Sequence, residues 1–410
     1  MTPARISRPV FARALNSGGR AIALGGVSLV RLDAEQLIGD ARRRTGLHDL
    51  GDESFRDPLE RVVRSLESEA ALSLVGRIAA RQDLLRLLSS RLRIEDDRRR
   101  HPEISAGAVR RPIFVTGLPR TGTTLLHGLL AQDPASRAPL GWEMMYPSPP
   151  PRRSLAGRDR RIAVAERQMR WFHRLSPEFR AIHPTGATLP EECLVIASHC
   201  FVSFQFQTMY AVPSYQGWLE AQDLGPSYEW HRKFLQHLQW GWPTERWVLK
   251  APAHLFGLEA LLGAYPDAGI VLTHRAPLEV VASLASLTAV LRSTFSDAVD
   301  PIAVGAEMTR RWAAGLARAL RARDEGRVPS RRVVDVLYAD LMRDPLAVVR
   351  DIYRSFDIEL TAAAEQRMRA YLAENPKDRR GRHRYSLEEF GLDPDEERER
   401  YGAYARRFDL

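Results

Sequence analysis

Cysteine is scarce in this chain of 410 residues, which has two, Cys193 and Cys200, with His199 beside the second. Their spacing matches no common zinc pattern, so the better interpretation is a pair of buried helix thiols, and we expect no metal. So low a cysteine content is typical of a reducing compartment.

A long hydrophobic run is also missing, since no apolar stretch approaches the roughly 18 residues of a membrane-spanning helix. Residues 21–30, AIALGGVSLV, weakly resemble the apolar part of a signal peptide, and residues 1–32 contain arginines but no acid. Glycines interrupt this stretch, however, and no convincing cleavage site follows it. We therefore predict a cytoplasmic protein with no transmembrane segment.

Charge of one sign does not dominate, although 60 Lys and Arg against 51 Asp and Glu give a net charge of +9. Such an excess is compatible with nucleic-acid binding. The two signs are mixed along most of the chain, which is more typical of solvated helix faces. We predict no nucleic-acid partner and keep a basic nucleic-acid-binding protein as an alternative.

The N-terminal part has the pattern of helices. Asp33 is placed to cap a first helix that stops near Gly46. Asp57, Pro58 and Glu60 resemble the start of a second, long helix whose apolar periodicity continues to about residue 94. We predict that residues 1–105 form a helical N-terminal extension.

From residue 111 the pattern changes to short apolar strands that alternate with helices. IFVTG, WVLKAP, GIVLTHRAP and RVVDVLYADL are each followed by a helical pattern. This order predicts an α/β fold, a doubly wound parallel sheet of the P-loop type, within a domain spanning residues 106–410. Ligands of such sheets bind at the carboxyl ends of the strands.

A long insertion, residues 132–246, separates the first two predicted strands. It is expected to be helical, and seven of the eight tryptophans lie between positions 142 and 247. Most of these aromatic side chains are expected to form a core of their own. An aromatic-rich insertion at the ligand edge is also a suitable place for an acceptor pocket.

Residues 117–124, GLPRTGTT, have the frame of a phosphate-binding P-loop. The glycines allow backbone N–H groups to converge on an anion at the positive end of a helix. Thr123 stands where a nucleotide triphosphatase has its lysine, and the third strand ends in His-Arg. Asp335 could serve as a Walker-B acid, so a nucleotide kinase or phosphotransferase stays an alternative. A metal-free anion site with Arg120 and threonine hydroxyls fits better.

Three motifs resemble those of the sulfotransferases that use 3′-phosphoadenosine-5′-phosphosulfate (PAPS), of the bacterial and tyrosylprotein branch. They are PRTGTTLLHGLL, THRAPLEVVAS and VLYADLMRDP, and the match covers about residues 111–410. The resemblance implies that Arg275 and Ser283 bind the 3′-phosphate and that Tyr338 lies in the donor site. It also implies a 5′-phosphosulfate loop made of Pro119, Arg120, Thr121, Gly122, Thr123 and Thr124.

The resemblance further implies the catalytic residues. Lys250 ends a strand, and the family's lysine at that place contacts the transferring sulfuryl group. Glu143 resembles the family's base glutamate and His254 its base histidine, of which Glu143 is preferred. Glu191 and Glu192 form a third option, although Thr188 and Glu191 can be explained as a helix capping box.

A basic segment near the C-terminus, KDRRGRHRYSLEEFG, resembles the loop that closes over the 3′-phosphate in this family. Arg380, Gly381, Arg382 and His383 are its predicted members. The function implied is transfer of a sulfuryl group from PAPS to a hydroxyl of an apolar or aromatic small molecule, with PAP as the second product. The sequence names neither the acceptor nor the oligomeric state, and a homo-oligomer is allowed.

Overall fold

A computed structural model of the protein describes residues 8–24, 29–182, 185–375 and 386–410. Within these residues five parallel strands form one sheet in the order β2-β3-β1-β4-β5. Their bounds are β1 Ile113–Gly117, β2 Ser136–Arg137, β3 Arg246–Lys250, β4 Gly269–His274 and β5 Val333–Leu337. The predicted fold class is confirmed. Strand β2 was not predicted, because two residues are too short to show a strand pattern.

The sheet separates two apolar layers, because successive side chains of a strand point to opposite faces. In β1, Phe114 belongs to one core, and Ile113 and Val115 belong to the other. The core around Phe114 also includes apolar side chains from the N-terminal helices, such as Leu59 and Leu88. The N-terminal helices and the sheet therefore share a core, and the domain division at residue 105 stays a prediction.

The described part of the N-terminal region contains helices whose bounds are α1 Val10–Leu24, α2 Ala34–Thr45, α3 Arg56–Ser68, α4 Leu74–Arg100 and α5 Glu103–Ala106. Helix α2 has the predicted ends: Asp33 accepts a hydrogen bond from the Gln36 N–H at 2.9 Å, and Gly46 ends the helix in the left-handed conformation. The single long helix predicted from Asp57 was wrong, since α3 and α4 are separate helices.

The break between α3 and α4 has a tertiary cause. Ala71 adopts a φ of 44°, and Ser73 starts α4 by accepting a hydrogen bond from the Gly76 N–H at 3.1 Å. The Ser73 hydroxyl also donates to the Phe295 carbonyl at 3.0 Å. A Cβ at Gly76 would lie 2.0 Å from that carbonyl oxygen. The chain therefore turns here so that α4 can pack against a later helix, which a local periodicity cannot reveal.

Helices also fill the insertion and the C-terminal half. Those up to the third strand are α6 Thr123–Leu130, α7 Gly141–Met145, α8 Arg160–Leu175, α9 Pro177–Ile182, α10 Cys193–Ser198, α11 Gln205–Met209, α12 Pro213–Ala221 and α13 Gly225–Gln239. Those after it are α14 Leu258–Ala264, α15 Leu278–Phe295, α16 Pro301–Asp324, α17 Tyr338–Arg343, α18 Pro345–Ser355, α19 Ala362–Glu374 and α20 Pro394–Phe408. Short 3-10 turns lie at Glu53–Phe55, Arg153–Leu155, Pro252–Phe256, Ser330–Arg332 and Glu388–Phe390.

Among the described residues one helix, α15, is long and apolar enough to cross a membrane by length and composition. Inside the protein 72% of that helix is buried. It packs against α4, α11 and α16. Its apolar composition is therefore accounted for by its place in the core.

Candidate anion-binding and active site

The predicted site residues follow strands that end at one edge of the sheet. Gly117 at the end of β1 pairs with Thr273 of β4, and His274 pairs with Leu337 of β5. On the other side of β1, Val115 pairs with Lys250, the last residue of β3. The loop after β1, Lys250, and the residues that follow β4 and β5 are thus brought to the same edge.

Two glycines allow the loop after β1 to turn into α6. Gly117 has a φ of 139°, and a Cβ there would lie 2.4 Å from the Thr273 hydroxyl oxygen. Gly122 has a φ of 89° and precedes the first residue of α6, Thr123. The first N–H groups of a helix have no intrahelical acceptor, so this turn presents donors and a positive helix end to the loop.

The loop is held by its own polar side chains. The Thr121 hydroxyl donates to the Leu118 carbonyl at 2.6 Å and lies 2.5 Å from the Thr273 hydroxyl. Arg120 has a φ of 69°, an unusual conformation for a residue with a Cβ, and its guanidinium donates to the Ile182 carbonyl at 3.2 Å. Of the remaining predicted loop residues, Thr123 is buried and Thr124 is exposed in the first turn of α6.

We expect Gly117→Ala to lower the free energy of unfolding by about 3 kcal/mol, because the new methyl group meets a backbone and a side-chain oxygen while the φ is unfavourable. Gly157→Ala is the matched control, since Gly157 has a φ of 71° but no atom within 4 Å of the place that its new methyl group would take. Its expected cost is about 1 kcal/mol, from the backbone conformation alone. Chemical denaturation measures both, and equal costs would contradict the predicted clash.

Arg275, directly after β4, connects the loop to the next strand. Its guanidinium donates to the Arg120 carbonyl at 3.0 Å and to the Glu279 carboxylate at 2.8 and 3.0 Å. It also lies 4.2 Å from the ring centroid of Tyr338, at the start of α17. Ser283 lies in α15, the helix after Arg275, and is buried. The structure thus brings Arg275 and Tyr338 to the loop. The anionic partner of Arg275 in this structure is the exposed carboxylate of Glu279.

Lys250 is 3% exposed and forms an ion pair with Glu192, which the sequence offered as a minor option. His127 of α6 donates from Nε2 to the Val248 carbonyl at 3.2 Å, which joins the helix after the loop to the strand that carries Lys250. Burial, with a smaller contribution from the positive charge of Lys250, lowers the pKa of His127 to about 3. His127 is therefore neutral, and Lys250 and Glu192 supply the formal charges next to it.

Glu191 has an unusual proton affinity. Its carboxylate accepts a hydrogen bond from the Glu192 N–H at 2.9 Å. Burial raises the pKa of Glu191 from 4.5 to about 7, and the neighbouring charge of Glu192 adds to the effect, whereas Lys250 opposes it. A carboxyl group with such a pKa exchanges its proton near neutral pH.

This raised pKa predicts how stability depends on pH. Between pH 4.5 and about 7 the native Glu191 keeps a proton that the unfolded chain has lost, so its contribution to the free energy of unfolding falls as pH rises. We expect Glu191→Gln to remove this term and to gain on the order of 2 kcal/mol over wild type between about pH 5 and pH 8. Thermal unfolding of both proteins over this range measures the difference, and parallel curves would contradict it.

Glu143 is fully buried, and both of its oxygens are engaged. One forms an ion pair with Arg137, and the other accepts the Leu140 N–H at 2.9 Å. Arg137 also donates to the Leu238 and Trp242 carbonyls at 2.9 and 2.8 Å. This geometry holds the start of α7 through the Glu143 carboxylate, and the predicted role of Glu143 as the base stays a prediction.

His254 lies in the 3-10 turn after Lys250 and borders a small, mainly apolar cavity. Its Nδ1 is 2.7 Å from the Tyr228 hydroxyl, and its Nε2 has no hydrogen-bond partner in the part of the chain that is described. Burial lowers the pKa of His254 well below 6.5. The cavity, of about 40 Å³, is also bordered by Cys193 and Ala251, which follow Glu192 and Lys250 in the chain. His254 is thus a neutral hydrogen-bonding group in a cavity whose lining includes the residues that follow Lys250 and Glu192 in the chain.

Most aromatic side chains of the insertion are buried, as expected for a core, and Phe204 and Tyr228 also border this cavity. Asp335, the possible Walker-B acid, is held by Arg323 at 2.7 and 2.8 Å and by His274 at 2.8 Å. These hydrogen bonds lower the pKa of Asp335 to about 2 against the opposing effect of burial. Its carboxylate therefore serves an ion pair between β4, β5 and α16.

One predicted set of site residues is not described by the structure, and one ion pair of the site was not predicted. Arg380, Gly381, Arg382 and His383 lie outside the described residues, and their predicted role stays a prediction. The ion pair of Lys250 with Glu192 was not predicted, because 58 residues separate the partners. The acidic doublet in TLPEEC was the signal available in the sequence.

The protein has the fold of an α/β anion-binding protein of the P-loop type. Its loop with two glycines lies between a central parallel strand and a helix, and cationic side chains lie at the same edge of the sheet. A model of the sulfotransferase family matches residues 112–362. The chain therefore belongs to the sulfotransferase family. It is 26% identical over 298 residues to the omega-hydroxy-beta-dihydromenaquinone-9 sulfotransferase Stf3 of Mycobacterium bovis, covering 68% of this chain and 71% of that protein.

Solved structures agree with this assignment. The sulfotransferase STF1 of Mycobacterium tuberculosis is 34% identical, and the match covers 91% of this chain and all of that one, with a TM-score of 0.81. The sulfotransferase STF9 of Mycobacterium avium is 31% identical, with a TM-score of 0.83 and coverage of 92% and 97%. Both matches extend well beyond the part of the chain in which the sequence motifs lie, and so include N-terminal helices.

Proposed function

We propose that this sulfotransferase transfers a sulfuryl group from PAPS to the hydroxyl of an apolar small molecule, in the cytoplasm. The observation that carries the proposal is the convergence of the lysine-free loop, Lys250 and Arg275 at one sheet edge. PAPS has anionic groups at two positions of its ribose, the 5′-phosphosulfate and the 3′-phosphate, and these residues offer positive charge at two places on that edge. The two free buried cysteines are consistent with a reducing compartment.

The loop amides and the N-terminus of α6 are suited to the phosphosulfate, and Arg275 to the 3′-phosphate. An arginine binds a phosphate through two parallel N–H donors, and the Tyr338 ring keeps its guanidinium plane in place. The ion pair of Arg275 with exposed Glu279 is of the surface type and contributes little, so a phosphate can replace that carboxylate. Ser283 is proposed as a further phosphate ligand on the following helix.

In transfer, Lys250 would stabilise the negative charge that grows on the leaving phosphate. Its ammonium group already lies against Glu192, which we propose as the base that takes the proton of the acceptor hydroxyl. Glu191, with a pKa of about 7, can receive that proton from its neighbour. His254 would orient the acceptor hydroxyl from the cavity side through its unpaired Nε2.

The acceptor is proposed to be an alcohol on an apolar carrier. The cavity bordered by Cys193, Ala251 and His254 is mainly apolar, and its small volume suits the reactive end of a molecule rather than the whole. Stf3 of Mycobacterium bovis is named for a hydroxylated menaquinone derivative, which is such an alcohol.

The proposal is tested by binding and turnover of the full chain. PAP is expected to raise the melting temperature without added metal, because a ligand that binds the native state stabilises it by mass action. PAPS with a panel of prenyl, aryl and sugar alcohols should give PAP release and a sulfated product with the apolar alcohols. Stabilisation by ATP with Mg²⁺ and not by PAP would favour a phosphotransferase and overturn the proposal.

We expect Arg275→Ala to weaken PAP binding by about thirtyfold, from the loss of charge-assisted hydrogen bonds to a phosphate. Arg275→Lys should recover only part of this loss, since an ammonium group lacks the planar fork of donors. Arg343→Ala, an exposed arginine of α17, is the control and should bind PAP as wild type does. Calorimetric titration measures the affinities, and an unchanged affinity of Arg275→Ala would place the 3′-phosphate elsewhere.

A further inference from the structure

An exposed face of α8 combines arginines with large apolar side chains. Arg160, Arg167 and Arg174 recur every seven residues, and Val164 and Trp171 lie between them at the same spacing. All five are exposed, and seven residues correspond to about two helical turns, so they form one stripe. A basic stripe that also exposes a tryptophan by 53% is not explained by the fold.

Helix α1 extends this stripe with more apolar surface. Phe11 is exposed by 42%, and its ring meets that of Trp171 edge to face at 6.2 Å. Leu15 and Ile22 lie on the same side of α1 and are also exposed. The opposite side of the helix is buried, where Asn16 accepts the Val75 N–H at 3.1 Å. The apolar residues of α1 therefore face outward from a helix that is fixed to the protein.

Positive charge dominates the two helices. Residues 10–22 contain no acid, and the single acid within α8, Glu166, accepts the Ala187 N–H at 2.8 Å. Asp159, which caps α8, is paired with Arg161. Arg170 and Arg13 are further exposed arginines of these helices. The surface therefore has exposed cations, aromatic rings and aliphatic side chains without exposed acids in these segments.

We propose that this surface of α1 and α8 binds an anionic lipid bilayer. Arginines beside exposed tryptophan, phenylalanine and leucine suit the interface, where apolar side chains enter the acyl boundary and cations meet lipid phosphates. A nucleic acid would leave Leu15, Ile22 and Val164 without apolar partners. A symmetric contact between two copies would set the same arginines against each other.

The surface of α1 and α8 is connected to the loop after β1 through α9, the helix that follows α8. Phe172 of α8 packs against Phe179 of α9 with a centroid distance of 5.2 Å. At the end of α9, the Ile182 carbonyl accepts the hydrogen bond from Arg120 of the loop. Bilayer binding would thus hold the transfer site close to a lipid surface. The binding itself does not depend on the proposed sulfotransfer.

The test is flotation of this 410-residue chain with vesicles, without donor or acceptor. Binding is expected to vesicles that contain phosphatidylglycerol, to be at least tenfold weaker with phosphatidylcholine alone, and to decrease at high salt. The double variants Arg167→Glu/Arg174→Glu and Phe11→Ser/Trp171→Ser should each bind these vesicles at least about tenfold more weakly. The first loses two basic side chains, each of which contributes about a fivefold factor near an anionic surface. The second loses two large apolar side chains that would enter the acyl boundary.

The control variant is Ile302→Ser/Arg354→Glu, which changes an exposed isoleucine of α16 and an exposed arginine of α18. It should float as wild type does, and thermal unfolding of every variant confirms folding. Where a double variant does not fold, Arg170→Ala and Trp171→Ser replace it. Absence of flotation, salt-insensitive binding to both vesicle types, or wild-type binding by the surface variants would each overturn the proposal. Binding to duplex DNA, or a dimer lost in Phe11→Ser/Trp171→Ser, in place of flotation would also overturn it.

Discussion

Lys250→Met is expected to lower kcat by about a thousandfold, while PAP affinity changes by less than about tenfold. The ammonium group lies at the end of β3 beside the loop after β1, where the proposed transfer would develop negative charge on the leaving phosphate. Methionine keeps the length of the side chain and removes the charge. Steady-state turnover with the acceptor found in the panel, together with calorimetric titration of PAP, measures the two quantities.

The ion pair with Glu192 needs a separate control, because Lys250→Met leaves that carboxylate without its cation. An uncompensated charge in a largely buried place costs stability. The double variant Lys250→Met/Glu192→Gln removes both charges and should recover stability but no turnover. Recovery of turnover in the double variant would contradict both the role of Lys250 in the transfer step and that of Glu192 as the base.

Glu192→Gln is expected to lower kcat by about a thousandfold at unchanged PAP affinity, the range for loss of a general base. Glutamine has the shape of glutamate and accepts no proton. Glu143→Gln is the matched control, since it makes the same chemical change at a carboxylate held by Arg137 and Leu140. It should lower the melting temperature and leave the turnover of folded protein near wild type.

The pH profile separates Glu192 from its neighbour. In Glu191→Gln the group with a pKa of about 7 is absent, so the dependence of kcat on pH should change near neutrality while turnover remains measurable. A larger loss of turnover in Glu143→Gln than in Glu192→Gln would return the role of base to Glu143. An equal loss in His254→Ala alone would assign it to His254.

The fold, and the edge of the sheet at which the candidate site residues lie, could be predicted because both depend on local patterns. GLPRTGTT after an apolar strand predicts a P-loop, and the order of strands and helices predicts parallel pairing. Arg275 and Lys250 could then be brought together without knowledge of the register, because the carboxyl ends of parallel strands meet at one edge. The confirmed fold class and family follow from these features.

The partners of the carboxylates could not be predicted in this way. Glu143 stands at the expected distance from the loop in sequence, yet Arg137 and Leu140 engage it in three dimensions. Glu192 reaches Lys250 across 58 residues, and no periodicity connects them. The helix break at Ala71 likewise comes from the contact of Ser73 with Phe295. Each of these features is a long-range contact.

From its sequence alone this protein can be placed as a P-loop-type sulfotransferase with an anion site free of the Walker lysine, because glycine spacing and strand ends are local features of the chain. The choice among Glu143, Glu191, Glu192 and His254 depends on the packed structure. Burial and ion pairing set which carboxylate is engaged and which is next to Lys250. The same holds for the outward face of α1 and α8, since exposure is a property of the folded chain.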